Sequence, residues 1–559
     1  MASSYGSVKR RKQYTFPEMD SVRFLYRTVN NVYVVLLVLV QAHYEALQYF
    51  TGCGFSAHFL SCCIDLGTSS VKVSVLNAAD QKVLASAHYP KEECPILVPK
   101  PGWAEQPPEQ WWENTQHAIH LCHKSGAYDP KDIVAIGIAY QMHGLVVVDK
   151  NQQHLRNSII WCDSRAVEIG NAAFSTIGQK KCLENLLNSP GNFTSSKLAW
   201  VKQNEPEVYQ NVDKFMLPGD FIAMKLSGEI TTSVEALSEG IFFDFRTRKP
   251  SEDVINYFGF APSLFPPIAD VFSTHGHLKA DVASQLGLKA GIVISYKSGD
   301  QPNNALSLNV LNPGEVASTA GTSGVIYGVT DKLIFDPKSR VNTFAHVNYT
   351  AEESRLGVLM CINGVGSMYR WLKQVLFNPT DTYQDVNAKS REAPVGCQGL
   401  CVLPFGNGGE RMLENRTIGT HFHNIDLNIH DKSHMARAVQ EGIAFSFRYG
   451  LDIMRENGMH PTVIRAGKSN LFLSDLFVET FVNITGLPVE LYKSDGSIGA
   501  AIGAGIGAKV FKQPSDAFHN FQPQERIEPN ANLGTELEKS YSEWKRLLEN
   551  QIEYKEKRK

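Results

Sequence analysis

A chain of 559 residues, 43% hydrophobic and 20% charged, has an ordinary globular composition; it is too long for one core and sized for two to four domains. A net charge of -3 and a pI near 6.6, with no sustained basic face, argue against nucleic acid as a partner. The 10 cysteines are scattered without paired CxxC spacing, so free thiols in a reducing compartment are expected rather than zinc or a disulfide scaffold.

In chain order, Lys9-Arg10-Arg11-Lys12 precedes an apolar run from Val32 to Val40. The run falls well short of the ~20 residues a membrane-spanning helix needs, and its long polar lead is unlike a signal peptide. Residues 1–61 read first as a disordered or weakly helical extension, with a targeting segment and then a membrane-surface anchor as the alternatives. From Cys62 the texture becomes α/β. Cys63-Ile64-Asp65-Leu66-Gly67-Thr68-Ser69-Ser70-Val71-Lys72-Val73 places β-branched residues around a Gly and hydroxyl turn, which predicts a strand, a tight hairpin and a second strand. Asp65 stands at the hairpin mouth. Such a turn can direct N–H groups and hydroxyls at phosphate oxygens while the acid reaches Mg²⁺. Taken alone, the same residues also fit an ordinary core hairpin.

Further strand-like runs, 133–138 and 145–148, alternate with amphipathic stretches such as 108–120. Trp161, Asp163 and Arg165 alternate as if on one face of an extended segment, with Asp163 and Arg165 as a pair. Asp300 follows the apolar run 291–295 in a Gly-Asp turn, where α/β sheets place ligands. A helix N-cap is the simpler role for an isolated Asp there. A second Gly/Thr turn, Ala320-Gly321-Thr322-Ser323, repeats the design of the first, which suggests two similar lobes facing across a cleft. The segment 306–313 reads as the boundary between them. Gly499, Gly503 and Gly507 recur at i, i+4 and i+8, a small-residue helix face suited to close packing. Residues 409–416 read as an ion-paired surface loop, and the tail after Pro514 as polar, ending in the charged run 553–559 as a solvated helix end.

Taken together, these stretches resemble the FGGY family of carbohydrate kinases from about Cys62 to Phe511. The resemblance is carried in family order by Ile64-Asp65-Leu66-Gly67-Thr68, Gly102-Trp103-Ala104-Glu105-Gln106, Gln141-Met142-His143-Gly144, Ile160-Trp161-Cys162-Asp163-Ser164-Arg165, Lys197-Leu198-Ala199-Trp200, Leu217-Pro218-Gly219-Asp220, Gly299-Asp300 and Gly321-Thr322-Ser323-Gly324. Within the family the pattern is most similar to xylulokinases. The resemblance implies an α/β, two-lobed ribonuclease-H-like or actin-like ATPase fold with a central cleft. It assigns residues 62–311 to an N-terminal lobe for sugar, Mg²⁺ and phosphate, 312–513 to a nucleotide lobe, and 514–559 to a tail.

The same resemblance implies ATP and Mg²⁺ as cofactors and a small sugar as substrate, in the cytoplasm, and is compatible with a homodimer. Asp300 is the implied base and Asp65 the metal ligand. Met142, His143, Trp161, Asp300 and Gln301 are implied for the sugar, with neither Met142 nor His143 ionising. Thr68, Ser69, Gly321, Thr322, Ser323, Gly467 and Asn470 are implied for the nucleotide. Two departures stand out. Gln301 replaces the Asn common in xylulokinases, as in glycerol kinases, although the Arg-Glu pair of glycerol kinases is absent from the Met142-His143 loop. In 464–470, Arg465, Ala466 and Lys468 replace residues of the family's Gly-Gly-Gly-Ala adenine loop. The expected reaction is ATP-dependent phosphorylation of a ketose, D-xylulose to D-xylulose 5-phosphate; alternatives are another ketose, a pentitol, glycerol, or a non-catalytic sugar or nucleotide sensor.

Overall fold

The computed structural model describes residues 59–557 apart from 79, 494–496, 512, 513 and 520. The N-terminal extension with its run from Val32 to Val40 lies outside the described residues.

The first lobe is built on five strands, β1 (Leu60–Leu66), β2 (Val71–Asn77), β3 (Lys82–Tyr89), β4 (Ile133–Tyr140) and β5 (Val293–Gly299). β1 is buried along its length except at Asp65, as expected of a central strand covered on both faces. The sheet runs β5-β4-β1-β2-β3, with β1, β2 and β3 antiparallel in sequence and β1, β4 and β5 parallel. Four helices matter for the site: α1 (Pro108–His123), α2 (Thr194–Asn204), α3 (Val234–Glu239) and α4 (Asp300–Ser307). α1 starts at a proline, whose missing N–H costs nothing in the first turn. It lies over β2 and β3 and buries Trp111.

The second lobe repeats the plan with β6 (Glu315–Ala320), β7 (Gly324–Thr330), β8 (Asn342–Ala345), β9 (Leu356–Ile362), β10 (Val463–Gly467), β11 (Val489–Tyr492) and β12 (Glu525–Ile527). Its order is β8-β9-β7-β6-β10-β11-β12. The segment β9-β7-β6-β10-β11 carries the same antiparallel and parallel pairings as β3-β2-β1-β4-β5. Two Gly/Thr turns therefore occupy equivalent corners of two equivalent sheets. The fold is the two-lobed α/β architecture expected from the sequence.

The helices of this lobe include α5 (Gly366–Leu376), α6 (Lys432–Glu456), α7 (Ser497–Gly507) and α8 (Ala531–Glu556). α6 is capped by Asp431, whose carboxylate accepts from the N–H groups of Ser433 and His434. α7 lies against β1, β4 and β5 of the first lobe, and its glycines make that approach possible. A Cβ on Gly503 would stand 2.4 Å from the Tyr296 ring, so the glycine spacing serves packing, as predicted. The tail differs from expectation. α8 buries Leu537, Tyr541, Trp544 and Leu548 on one stripe, and Trp544 Nε1 donates to the Val402 carbonyl at 2.8 Å. Those residues fall at i, i+4, i+7 and i+11, an amphipathic period hidden in a polar composition.

Among the described residues no helix is long and apolar enough to cross a membrane, and every described cysteine is free.

Candidate active site

β1 ends in the turn Gly67-Thr68-Ser69-Ser70, closed by the Gly67 N–H on the Ser70 carbonyl at 3.1 Å. Side chains anchor this turn. Gln106 Nε2 donates to the Thr68 carbonyl at 2.8 Å, Thr68 Oγ1 donates to Gln141 Oε1 at 3.1 Å, and Trp161 Nε1 donates to Thr68 Oγ1 at 3.0 Å. Gln106 is itself held by Trp111 Nε1 at 3.1 Å and Gln141 Nε2 at 3.0 Å. Ser69 lies exposed at the tip.

Asp300 is the first residue of α4, directly after β5. Burial and the nearby charge of Asp65 push its carboxyl up to about 7, against hydrogen bonds from the Gln301 side chain and backbone. Asp65 and Asp300, from the ends of two strands of one sheet, are thus close enough to repel. A carboxylate poised near neutrality at the mouth of a phosphate turn suits acceptance of a proton. A bound divalent cation would relieve the repulsion. Among the described residues no group of three or more His, Cys, Asp or Glu could hold a metal ion.

The loop after β4 delivers Met142 and His143 to the same region. His143 adopts a left-handed backbone, φ 61°, stabilised by its N–H donating to Glu239 Oε1 at 2.9 Å. Its ring packs edge-on to Phe193 at 4.8 Å. Burial first, then the charges of Lys197 and Arg411, pull the imidazole down to about 3, so it is neutral, as expected. Met142 and the Glu239 carboxyl meet over Gly299, where a Cβ would stand 2.7 Å from Met142 Cγ and 2.9 Å from Glu239 Oε2. Glycine before Asp300 is what lets Met142 and Glu239 approach so closely there.

Lys197, on α2, is a support the sequence reading did not isolate. Its Nζ donates to the carbonyls of His143 at 2.7 Å and Ile160 at 3.0 Å, tying the Met142-His143 loop to the Trp161 loop. Burial lowers its pKa to about 7, with Asp163 the main opposing charge. The alternation at 161–165 does not form an extended face. The Asp163 N–H closes a turn on the Ile160 carbonyl at 3.2 Å, leaving Trp161 53% exposed while Asp163 is fully buried. Asp163 and Arg165 do pair, at 2.7 Å, with Glu105 on the other side of Arg165 at 2.7 Å and Trp103 stacked beneath it at 3.8 Å. Breaking such a buried cluster by removing one partner costs about 3–5 kcal/mol. Trp103 and Glu105 are architectural.

In the second lobe the turn after β6 is held by backbone alone, the N–H groups of Gly366 and Ser367 donating to the Gly321 and Thr322 carbonyls at 2.9 and 3.1 Å. It opens on a pocket of about 660 Å³ that brings together Gly321, Thr322 and Asn470 with Tyr369, Arg370, Tyr383 and Asn387. Ser323 and Gly467 are not among its lining residues. The tyrosines stack at 5.7 Å and give the pocket an aromatic wall. Arg465 and Lys468 point elsewhere: Arg465 pairs with Glu490 at 2.8 Å and Glu315 at 3.2 Å, and Lys468 with Glu525 at 2.9 Å. The atypical residues of 464–470 are thus neutralised in salt bridges outside the pocket lining.

The loop 409–416 carries ion pairs, as expected, at Glu414 and Arg416, 3.2 Å apart, but Arg411 takes no part in them. Glu410 is buried and accepts from the Asn363 N–H at 3.0 and 3.1 Å, leaving Arg411 unpaired with it and turned toward Phe193, 5.9 Å from the ring.

Duplicated sheets, paired glycine turns and a half-buried acid after a strand end define a two-lobed phosphotransferase of the actin-like ATPase class. Residues 60–307 match the profile of the FGGY family of carbohydrate kinases, N-terminal domain, and residues 316–508 that of its C-terminal domain. The chain belongs to the FGGY family of carbohydrate kinases, enzymes that use ATP. It is 27% identical over 468 residues to a xylulose kinase of Escherichia coli (strain K12), covering 83% of this chain and 93% of that protein. Among solved structures, xylulose kinase from Rhodospirillum rubrum superposes with a TM-score of 0.79 at 23% identity, covering 89% of this chain and 99% of that one. Plasmodium falciparum glycerol kinase with ADP gives 0.79 at 20% identity, covering 88% and 98%.

Proposed function

We propose that the enzyme transfers the γ-phosphoryl group of ATP to the terminal hydroxyl of a ketose, D-xylulose, giving D-xylulose 5-phosphate. The observation that carries this reading is the position of Asp300, at the start of α4 beside Asp65, with its carboxyl raised to about 7. Asp300 accepts the proton of the attacking hydroxyl. Asp65 holds Mg²⁺ directly or through water; when bound, the ion neutralises phosphate charge as it develops. Thr68, Gly321 and Thr322 offer N–H and hydroxyl donors to the phosphates from opposite lobes, and Asn470 contributes to the nucleotide pocket. Neutral His143, Met142, Trp161 and Gln301 orient the acceptor without exchanging protons.

Xylulose kinase relatives over most of the chain support the choice of ketose, and the absence of the Arg-Glu pair at Met142-His143 weighs against glycerol. Incubation with ATP and a panel of ketoses, pentitols and glycerol, followed by location of the phosphate in each product, tests the reading. D-Xylulose should give the highest kcat/KM and a 5-phosphate. A polyol or glycerol preferred by tenfold or more would overturn it.

A further inference from the structure

The guanidinium of Arg411 has no hydrogen-bond acceptor and no carboxylate partner among the described residues. It starts a short turn, Arg411–Leu413, of the second lobe, yet its side chain reaches the wall on which His143 packs in the first: Phe193 lies 5.9 Å from the guanidinium and 4.8 Å from the imidazole. Glu410 is committed to the Asn363 N–H. The surrounding protein pulls the pKa of Arg411 down, and only the Cys361 thiol acts against that. Cys361 is exposed, and the charges of both Arg411 and Asp300 act on it, so Arg411 lies on the same side of the second lobe that faces Asp300.

Arg411 is half-buried, and a five-donor fork that faces a neutral imidazole and a phenyl ring, with no anion beside it, is available to a ligand rather than spent on the protein. We propose that Arg411 is a substrate-contacting residue supplied by the second lobe, donating to the acceptor's oxygens at the end remote from the transferred phosphoryl group. A carbonyl there accepts two-pronged donation better than an alcohol does, so Arg411 favours a ketose over the corresponding pentitol, and glycerol lacks the distal carbons altogether. The ketose preference rests on the proposed function above; the contact itself does not.

The test is steady-state kinetics of Arg411→Gln and Arg411→Lys, using whichever panel acceptor the unaltered enzyme phosphorylates best together with the matching ketose and pentitol. Arg411→Gln should raise acceptor KM by ~10-fold or more while ATP KM stays within about twofold and kcat within about fivefold, the pattern of lost acceptor binding. Arg411→Lys should recover part of that loss, and the ketose preference should fall toward unity in both. Unchanged acceptor KM, or an equal rise in ATP KM, overturns the contact. If Arg411→Gln does not fold, Arg411→Lys decides, because one ammonium cannot reproduce the fork: an unaltered ketose-to-pentitol ratio then overturns the proposal. An unaltered enzyme that ignores ketoses would sink the proposed function, yet the KM comparison on its preferred acceptor would still judge Arg411.

Discussion

The two glycine turns occupy equivalent corners of two sheets of the same topology, yet they are held in different ways. The turn at Gly67 has side-chain bonds added to its backbone ones from Gly67 and Cys94, with Gln106, Gln141 and Trp161 all bonded to Thr68. The turn at Gly321 is fixed by two backbone N–H groups and opens onto a pocket. Cross-linked side chains hold a small group to one geometry, as in-line attack on a phosphate requires. A backbone-held turn beside an aromatic wall leaves room for a large ligand. On the proposed function, the two corners both face phosphate, and the side chains around them divide the labour between acceptor chemistry and nucleotide binding.

The largest effect should come from the base. Asp300→Asn keeps the shape of the helix start but cannot take a proton, so turnover should fall by ~10²–10⁴-fold while the acceptor still binds. Steady-state kinetics paired with calorimetric binding would check this; turnover within tenfold of the unaltered enzyme would remove Asp300 from the role.

Asp65→Ala comes next, with an expected loss of ~10²-fold at low Mg²⁺ that is partly recovered as the ion concentration rises. Removing its charge also lets Asp300 ionise at lower pH, so the acid limb of kcat/KM should move down. A Mg²⁺ titration identical to that of the unaltered enzyme would make Asp65 a core acid only.

A smaller effect is expected beneath the acceptor side. Burial pushes Glu235 up to about 8, despite hydrogen bonds from the Gly299 N–H and Ser298. Its unfolded value is about 4.3, so between those values the folded state binds a proton the unfolded state lacks, and stability falls as pH rises. Glu235→Gln removes that dependence. Its melting temperature should drop by a few degrees less between pH 5 and pH 8 than that of the unaltered protein, on the order of one pKa-linked contribution. Parallel curves would show that Glu235 does not carry the linkage.

Much of the frame was legible in the sequence because its signals are local. Each turn lies within a dozen residues of its own β-branched flanks, the first of them beside Asp65, and the glycine spacing of α7 is a single-helix property. Asp300 was marked by the apolar run before it. What the sequence hid depends on direction. Glu410 and Arg411 are adjacent and of opposite charge, which invites pairing, but the backbone sends one into the core and the other toward Phe193. Trp161, Asp163 and Arg165 alternate, yet a turn at Ile160 leaves Trp161 at the surface and sends the Asp163–Arg165 pair inside. The bond from Lys197 to two loops, and the stacking of Tyr369 on Tyr383, join residues whose relation exists only after folding. The stripe of α8 was masked by its polar neighbours, although its helical period was there to be counted.

The division of labour between the two corners is tested most directly by crossed binding. D-Xylulose and a non-hydrolysable ATP analogue would each be titrated calorimetrically into His143→Ala and Asn470→Ala. The account predicts that His143→Ala weakens the sugar by ~10-fold or more and leaves the nucleotide within about twofold, with the reverse pattern for Asn470→Ala. Equal weakening of both ligands in either variant would contradict it.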